Sequence, residues 1–353
     1  MKKRILAITV LLCFALALSA CGQQPAATAP SAAAAPADGA AADPGDDFHI
    51  TIKFSGASAA TNPDMMMLDE MCKRVTERTD GHITMEMYPN NELGSLADIA
   101  EMIQQGVPMM TNCSSDFLAD YCPDHAALNG AYLYDSWEDM QVIAKSDWYA
   151  GLKGQLDDSN IHVMFFGWNG GHRHMISTFP IRTPQDLVGK NARVSGGLMF
   201  VEMYKAFGSS PITLPFNETY QGLQQGIIDI VEAPTYTLLS SSLNEVGPYL
   251  TLTSHIICAD VVIMSTDVYN SIPEQYRAIL DEEVNATCLA YNATVDGNEE
   301  EALETFRDYG TTIIELSDEE RQAFADACKD MYTNIQSFSP DIYNTIRSII
   351  EAD

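Results

Sequence analysis

The stretch Leu187 to Pro234, LVGKNARVSGGLMFVEMYKAFGSSPITLPFNETYQGLQQGIIDIVEAP, alternates strand and helix signals with short connections. That alternation restricts the fold to an α/β class with parallel pairing. Lys190 to Val194 reads as a short strand. Leu198, Val201, Glu202, Tyr204, Lys205 and Phe207 follow at helical spacing until Gly208. Ile212 to Pro215 reads as a second strand. Asn217 to Gly226 reads as a helix with a cap residue at its start and a glycine at its end. The apolar run Ile227 to Val231 has the character of a strand buried on both faces of a parallel sheet.

Arg193 stands where the first of these strands gives way to the loop Ser195-Gly196-Gly197. Open α/β sheets place their ligands at such strand ends. A guanidinium there matches a carboxylate bidentately, fixing both charge and orientation. From position alone, an arginine bonded to a neighbouring acid or a helix end is an equal alternative.

In order and spacing, the segments DLVGKNARV, PITLPFNETYQGLQQGIIDIVEAP, PYLTLTSH and, upstream, VTERTDGHITMEMYPNNELG resemble the solute-binding proteins of TRAP transporters, of the C4-dicarboxylate-binding DctP type. The resemblance implies a two-domain periplasmic-binding-protein-like fold, with a ligand cleft between the domains that closes about a hinge and a long helix lying across both. It implies residues 48–170 with 259–298 for domain 1, and 171–258 with 299–353 for domain 2. It makes Arg193 the carboxylate-binding arginine, beside Ser195. Trp168, Asn169 and Arg173 fall on the segment crossing between domains, with Arg173 as a second contact. Glu232 precedes Ala233, where many members carry asparagine, so one amide contact is missing. Ser114 stands where an acidic or polar residue is usual, and Phe216 supplies an aromatic to stack on or cap the ligand. The partners implied are a small organic acid, expected to be a carboxylate, and the membrane subunits of a TRAP permease. A binding protein serving a sensor would capture ligand in the same way, and a monomer is expected.

Met1 to Ala20 has a basic start, an apolar run from Ile5 to Leu18 and small residues before Cys21, the pattern of an export signal. Leu-Ser-Ala-Cys resembles a bacterial lipobox, which implies cleavage before Cys21 and lipid attachment there; a plain secretory signal is the alternative. Residues 21–47 are nearly all small and polar and bury too little apolar area to order the chain. They read as a tether reaching about 30 Å. The formal charge of −30 becomes −33 once Lys2, Lys3 and Arg4 leave with the signal. So acidic a chain repels nucleic acid and anionic lipid, and its few cations in a cleft carry more meaning.

No metal or cofactor is expected. His172 and His174 flank Arg173, which argues against a metal between them, and no CxxC, G-x-S-x-G, P-loop, HExxH or dinucleotide fingerprint occurs. Cys113 and Cys122 are the only cysteines close enough in sequence to suggest a bridge, whereas Cys72, Cys288 and Cys328 lie on apolar helical faces. Met65 to Met67 has the spacing of core packing, and Glu299 to Glu301 that of a solvated face. Further strands are expected at Phe48 to Gly56, Ile83 to Tyr88, Met109 to Ser115, Val163 to Trp168, Ile256 to Ser265 and Thr311 to Leu316. Helices are expected after Asn62, at Ser95 to Gly106, within Trp137 to Leu156, after the Ser317–Glu320 capping box and at Asp341 to Ile350. A helix from Pro273 to Gly310 would run about 55 Å.

Overall fold

The computed structural model describes residues 47–352. The expectations for the signal, Cys21 and the tether up to residue 46 lie outside them. Nine strands among the described residues join one mixed sheet: β1 Ile50–Ser55, β2 Ile83–Tyr88, β3 Met109–Ser114, β4 Ile161–Ser177, β5 Asn191–Val194, β6 Ser210–Thr213, β7 Ile230–Pro234, β8 Tyr249–Ser265 and β9 Thr312–Glu315. Their order is β2-β1-β3-β8-β4-β7-β5-β6, with β9 pairing β8. β2-β1-β3 and β7-β5-β6 are parallel triplets, and β8 and β4 run antiparallel between them. The expected parallel pairing therefore holds within each half and stops at the centre.

The central pair departs most from expectation. Val163 to Trp168 continues as one strand through Asn169, Gly170 and Gly171 to Ser177, and the other strand begins seven residues early, at Tyr249, taking in the PYLTLTSH segment. β4 and β8 stay paired across four register shifts, among them Phe166/Trp168 and Asn169/His172. Gly167 and Gly171 have φ of 85° and 87°. Only glycine takes that conformation at no steric cost, so the strand bulges there without ending. β7 also shifts: Ile227 closes the preceding helix by bonding Gly222 O, and pairing begins at Ile230.

Helix Glu274–Asn292 stops short, and a second helix, Val295–Tyr309, replaces the rest of the single one expected. The cause lies in the bulge of β4. Asn292 Oδ1 accepts from the Asn169 N–H at 2.8 Å, and its Nδ2 donates to Gly167 O at 2.9 Å. Gly167 O also accepts from Trp137 Nε1 at 3.2 Å, whereas Asn292 is the side-chain partner of the Asn169 N–H in the distorted ladder. Thr294 Oγ1 bonds back to Tyr291 O at 2.8 Å, a side-chain competitor for the helix ladder. Gly297, the interruption the sequence suggested, lies inside the second helix.

The first of the two helices packs on Pro63–Arg78, where Glu283 accepts from Arg74 and Arg78 at 2.7 and 2.8 Å. The second packs on Thr235–Ser240 in the other half. The C-terminal helix Ile342–Ile350 crosses back onto Trp137–Ala144, held by Arg347 donating to Leu133 O and Asp135. Cys113 and Cys122 are free and buried, so the bridge their spacing allowed does not form.

Asn292→Ala should cost about 1 to 3 kcal/mol, because it removes the acceptor of the Asn169 N–H and one of the two donors to Gly167 O. The exposed Asn285→Ala should stay within about 0.5 kcal/mol of the parent. Denaturant unfolding of both variants tests this; equal midpoints would remove Asn292 from the account of the helix break.

Candidate ligand-binding site

The C-terminal ends of β1, β3, β5 and β7 converge beside the bulged crossing and enclose a cavity of about 110 Å³. This measure leaves room for several waters, the scale of a small organic molecule. β5 shows how the local pattern sets the site. Ala192 and Val194 turn into the main core, so the alternation of a strand sends Arg193 to the opposite face.

Arg193 is 4% exposed. Its Nε donates to Leu214 O at 2.8 Å, and its guanidinium lies 5.0 Å from the ring centre of Phe216. Among the described residues, neither terminal nitrogen has a hydrogen-bond partner and no carboxylate forms an ion pair with it. Desolvation, opposed by the attraction of Glu232 and helped by repulsion from Arg173, pulls its pKa to about 10, so it stays cationic at neutral pH. A buried cation with a free planar fork facing a cavity is an anion receptor by chemistry.

Arg173 differs. Its Nε and Nη2 hold both oxygens of Glu232, the second at 2.8 Å, its Nη1 donates to Cys258 Sγ at 3.1 Å, and Phe200 covers it at 4.7 Å. The register sets Arg173 against Pro234 and Met175 against Glu232, so the pair is a diagonal cross-strand neighbour. Burial alone would raise the Glu232 pKa, but Arg173 and His255 outweigh it and hold it at about 2. Burial keeps His255 neutral; its Nε2 lies 3.3 Å from Glu232 and its Nδ1 2.7 Å from Thr253 Oγ1. The Arg173 charge is thus already compensated inside the protein.

Residues 54–338 match the model of the bacterial extracellular solute-binding proteins, family 7, DctP. The chain belongs to that family. It is 27% identical over 280 residues, 78% of this chain and 83% of the relative, to the C4-dicarboxylate-binding periplasmic protein DctP of Rhodobacter capsulatus. It is 30% identical over 248 residues, 68% and 72%, to the ectoine-binding periplasmic protein TeaA of Halomonas elongata. A TRAP periplasmic solute-binding protein from Ochrobacterium anthropi, solved with bound L-fuconate, superposes with a TM-score of 0.80 at 27% identity over 86% of this chain and 99% of that one. The fold expected from the resemblance, a two-domain α/β binding protein, is the fold of these DctP relatives. The family is one of transport binding proteins rather than enzymes. No helix among the described residues is long and apolar enough to cross a membrane.

Of the residues singled out in this DctP-family chain, Arg193, Arg173, Phe216, Ala233, Trp168, Ser114 and Ser195 line the cavity together. Two do not. Glu232 is fully buried behind Arg173, and Asn169 turns its Oδ1 back to the Gly171 N–H at 3.0 Å, holding the bulge. Phe216 stacks on Arg193, so it orients the guanidinium as well as closing the wall. His174, part of the His-Arg-His motif, pairs with Glu299 at 2.9 Å, which takes Glu299 out of the solvated face assigned to it. The sequence reading missed Asp64, Asn112, Asp260 and Phe200 on the cavity wall. Asp260 had a signal, as the lone charge in the apolar run Ile256 to Ser265; Asp64 looked like an ordinary first-turn acid after Pro63.

Glu232→Gln should destabilise the protein by about 3 to 5 kcal/mol at neutral pH, since it leaves the buried Arg173 without its counter-charge. The folded pKa lies below the ordinary 4.5, so this stabilisation is complete above 4.5 and disappears as pH falls toward 2. Denaturant unfolding of both proteins should show the gap closing below pH 4.5. A gap constant with pH would contradict an ionic pair.

Proposed function

We propose that this chain is the extracytoplasmic receptor of a TRAP transporter, lipid-anchored through Cys21, that captures a small carboxylate in the cavity and delivers it to the membrane permease. The observation that carries the reading is Arg193: buried, cationic, and with its terminal nitrogens unpartnered at the cavity wall. A buried charge costs several kcal/mol unless it is paired, and a bidentate carboxylate supplies the missing partner. The ligands named for the three relatives, a C4-dicarboxylate, ectoine and L-fuconate, each contain a carboxylate, which supports the same assignment. Ser114, Ser195, Phe216 and Ala233 then complete the wall. Trp168, its ring centre 4.8 Å from that of Tyr291 and tilted 33° to it, lines the cavity beside the crossing segment.

Arg193→Ala should weaken carboxylate binding by about tenfold to several thousandfold, spanning a lost charge-assisted hydrogen bond and a stranded ligand charge. Arg193→Lys should recover little, because an ammonium cannot present two parallel donors. Calorimetry with a carboxylate found by thermal-shift screening measures this. Near-native affinity in Arg193→Ala would move the anion site elsewhere.

The anchor has a separate test. Two or more acyl chains give stable membrane attachment, so Cys21→Ala should move the protein out of the membrane fraction. Unchanged fractionation would refute lipidation.

A further inference from the structure

The wall of the cavity built by the first half is acidic and rich in acceptors. Asp64 stands in the first turn of Pro63–Arg78, Asn112 on β3, and Asp260 on β8 opposite both Ser114 and Trp168. Asn112 is 9% exposed, and its Oδ1 is buried with no hydrogen bond. Asp260 Oδ1 is likewise buried and unpartnered, although Ser114 and Cys258 bond to the carboxylate. Asp64 Oδ1 accepts from the Met65 N–H at 2.7 Å. Neither aspartate forms an ion pair among the described residues, and Arg173, the nearest cation to Asp260, is held by Glu232.

These atoms need donors, and the two carboxylates need a positive charge. A second ligand carboxylate would meet like charge. A hydroxyl would satisfy an oxygen but leave both aspartates uncompensated in a buried site, whereas a protonated nitrogen answers both demands. We propose that Asp260 and Asn112, with Asp64 adding charge, form an ammonium subsite, and that the ligand is a small zwitterionic amino-carboxylate. This rests on Arg193 taking the carboxylate. Burial raises the Asp64 pKa to about 7, with repulsion from Asp260 adding to it, and burial also raises that of Asp260, where the attraction of Arg173 and the bonds from Ser114 and Cys258 only partly offset it.

The test is a thermal-shift screen of the wild-type protein with the common α-amino acids and with ω-amino, ω-hydroxy and dicarboxylic acids of matched chain length, followed by calorimetry. Amino-carboxylates should stabilise the protein while their hydroxy and dicarboxylic counterparts do not. Asp260→Asn keeps the shape and an acceptor but removes the charge, and should weaken the amino-carboxylate by about ten- to a hundredfold. Asp64→Asn should weaken it in the same direction and serves if Asp260→Asn does not fold. Preferred binding of a hydroxy or dicarboxylic acid, or unchanged affinity in both variants, overturns the ammonium subsite while leaving the carboxylate at Arg193 intact. No stabilisation by any acid in the panel, or binding indifferent to Arg193→Ala, overturns the carboxylate reading itself.

Discussion

The structure hangs on the pairing of β4 with β8. Each runs seventeen residues and passes through both halves of the sheet, so the two parallel triplets attach to opposite ends of one antiparallel ribbon. A ribbon that long accumulates twist and needs its backbone groups satisfied wherever it distorts. The distortion is concentrated between Phe166 and Met175, where glycines take left-handed conformations and Asn292 supplies the missing hydrogen bonds. The crossing, the helix break and the cavity wall are therefore consequences of one bulged segment.

The same segment sorts the charges. Arg173 sits on the bulge and finds Glu232 on the neighbouring strand, with His255 behind it, giving a compensated group inside the second half. Arg193, one strand further out, finds a carbonyl and an aromatic face, and Glu232 attracts it without pairing to it. Two arginines of similar burial thus play different parts, the first fixing the wall and the second left for a ligand. Retaining a buried cation with no ion-paired acid costs stability in the empty protein, and ligand binding recovers it.

Cross-half contacts set the geometry of the enclosure. Asp116, just past β3, accepts from the Met199 N–H at 3.2 Å, and a side chain on Gly197 would overlap its carboxylate. Asn62 donates to Thr237 at 3.3 Å and Asn217 to Asn90 O at 3.2 Å. These polar links stand beside apolar contact, because one core cluster runs from Ile99, Met109 and Leu118 in the first half to Val194, Met199 and Phe200 in the second.

By itself, the sequence determined the α/β class, the order of the short strands and helices from Leu187 onward but not the bounds of the strands at Ser210–Thr213 and Ile230–Pro234, the Ser95 and Ser317 caps, and the place of Arg193 at a strand end. These follow from local rules: period, capping chemistry and a cation at a strand end. Only the tertiary structure decided that Asn169 and Glu232 face away from the cavity, that the long helix is two, and that Asp64, Asn112 and Asp260 share a wall with Arg193. Each of those depends on contacts between residues far apart in the chain. The partner of a bulged N–H, or the acid that reaches one arginine before another, is set by strand register and packing, which local pattern does not encode.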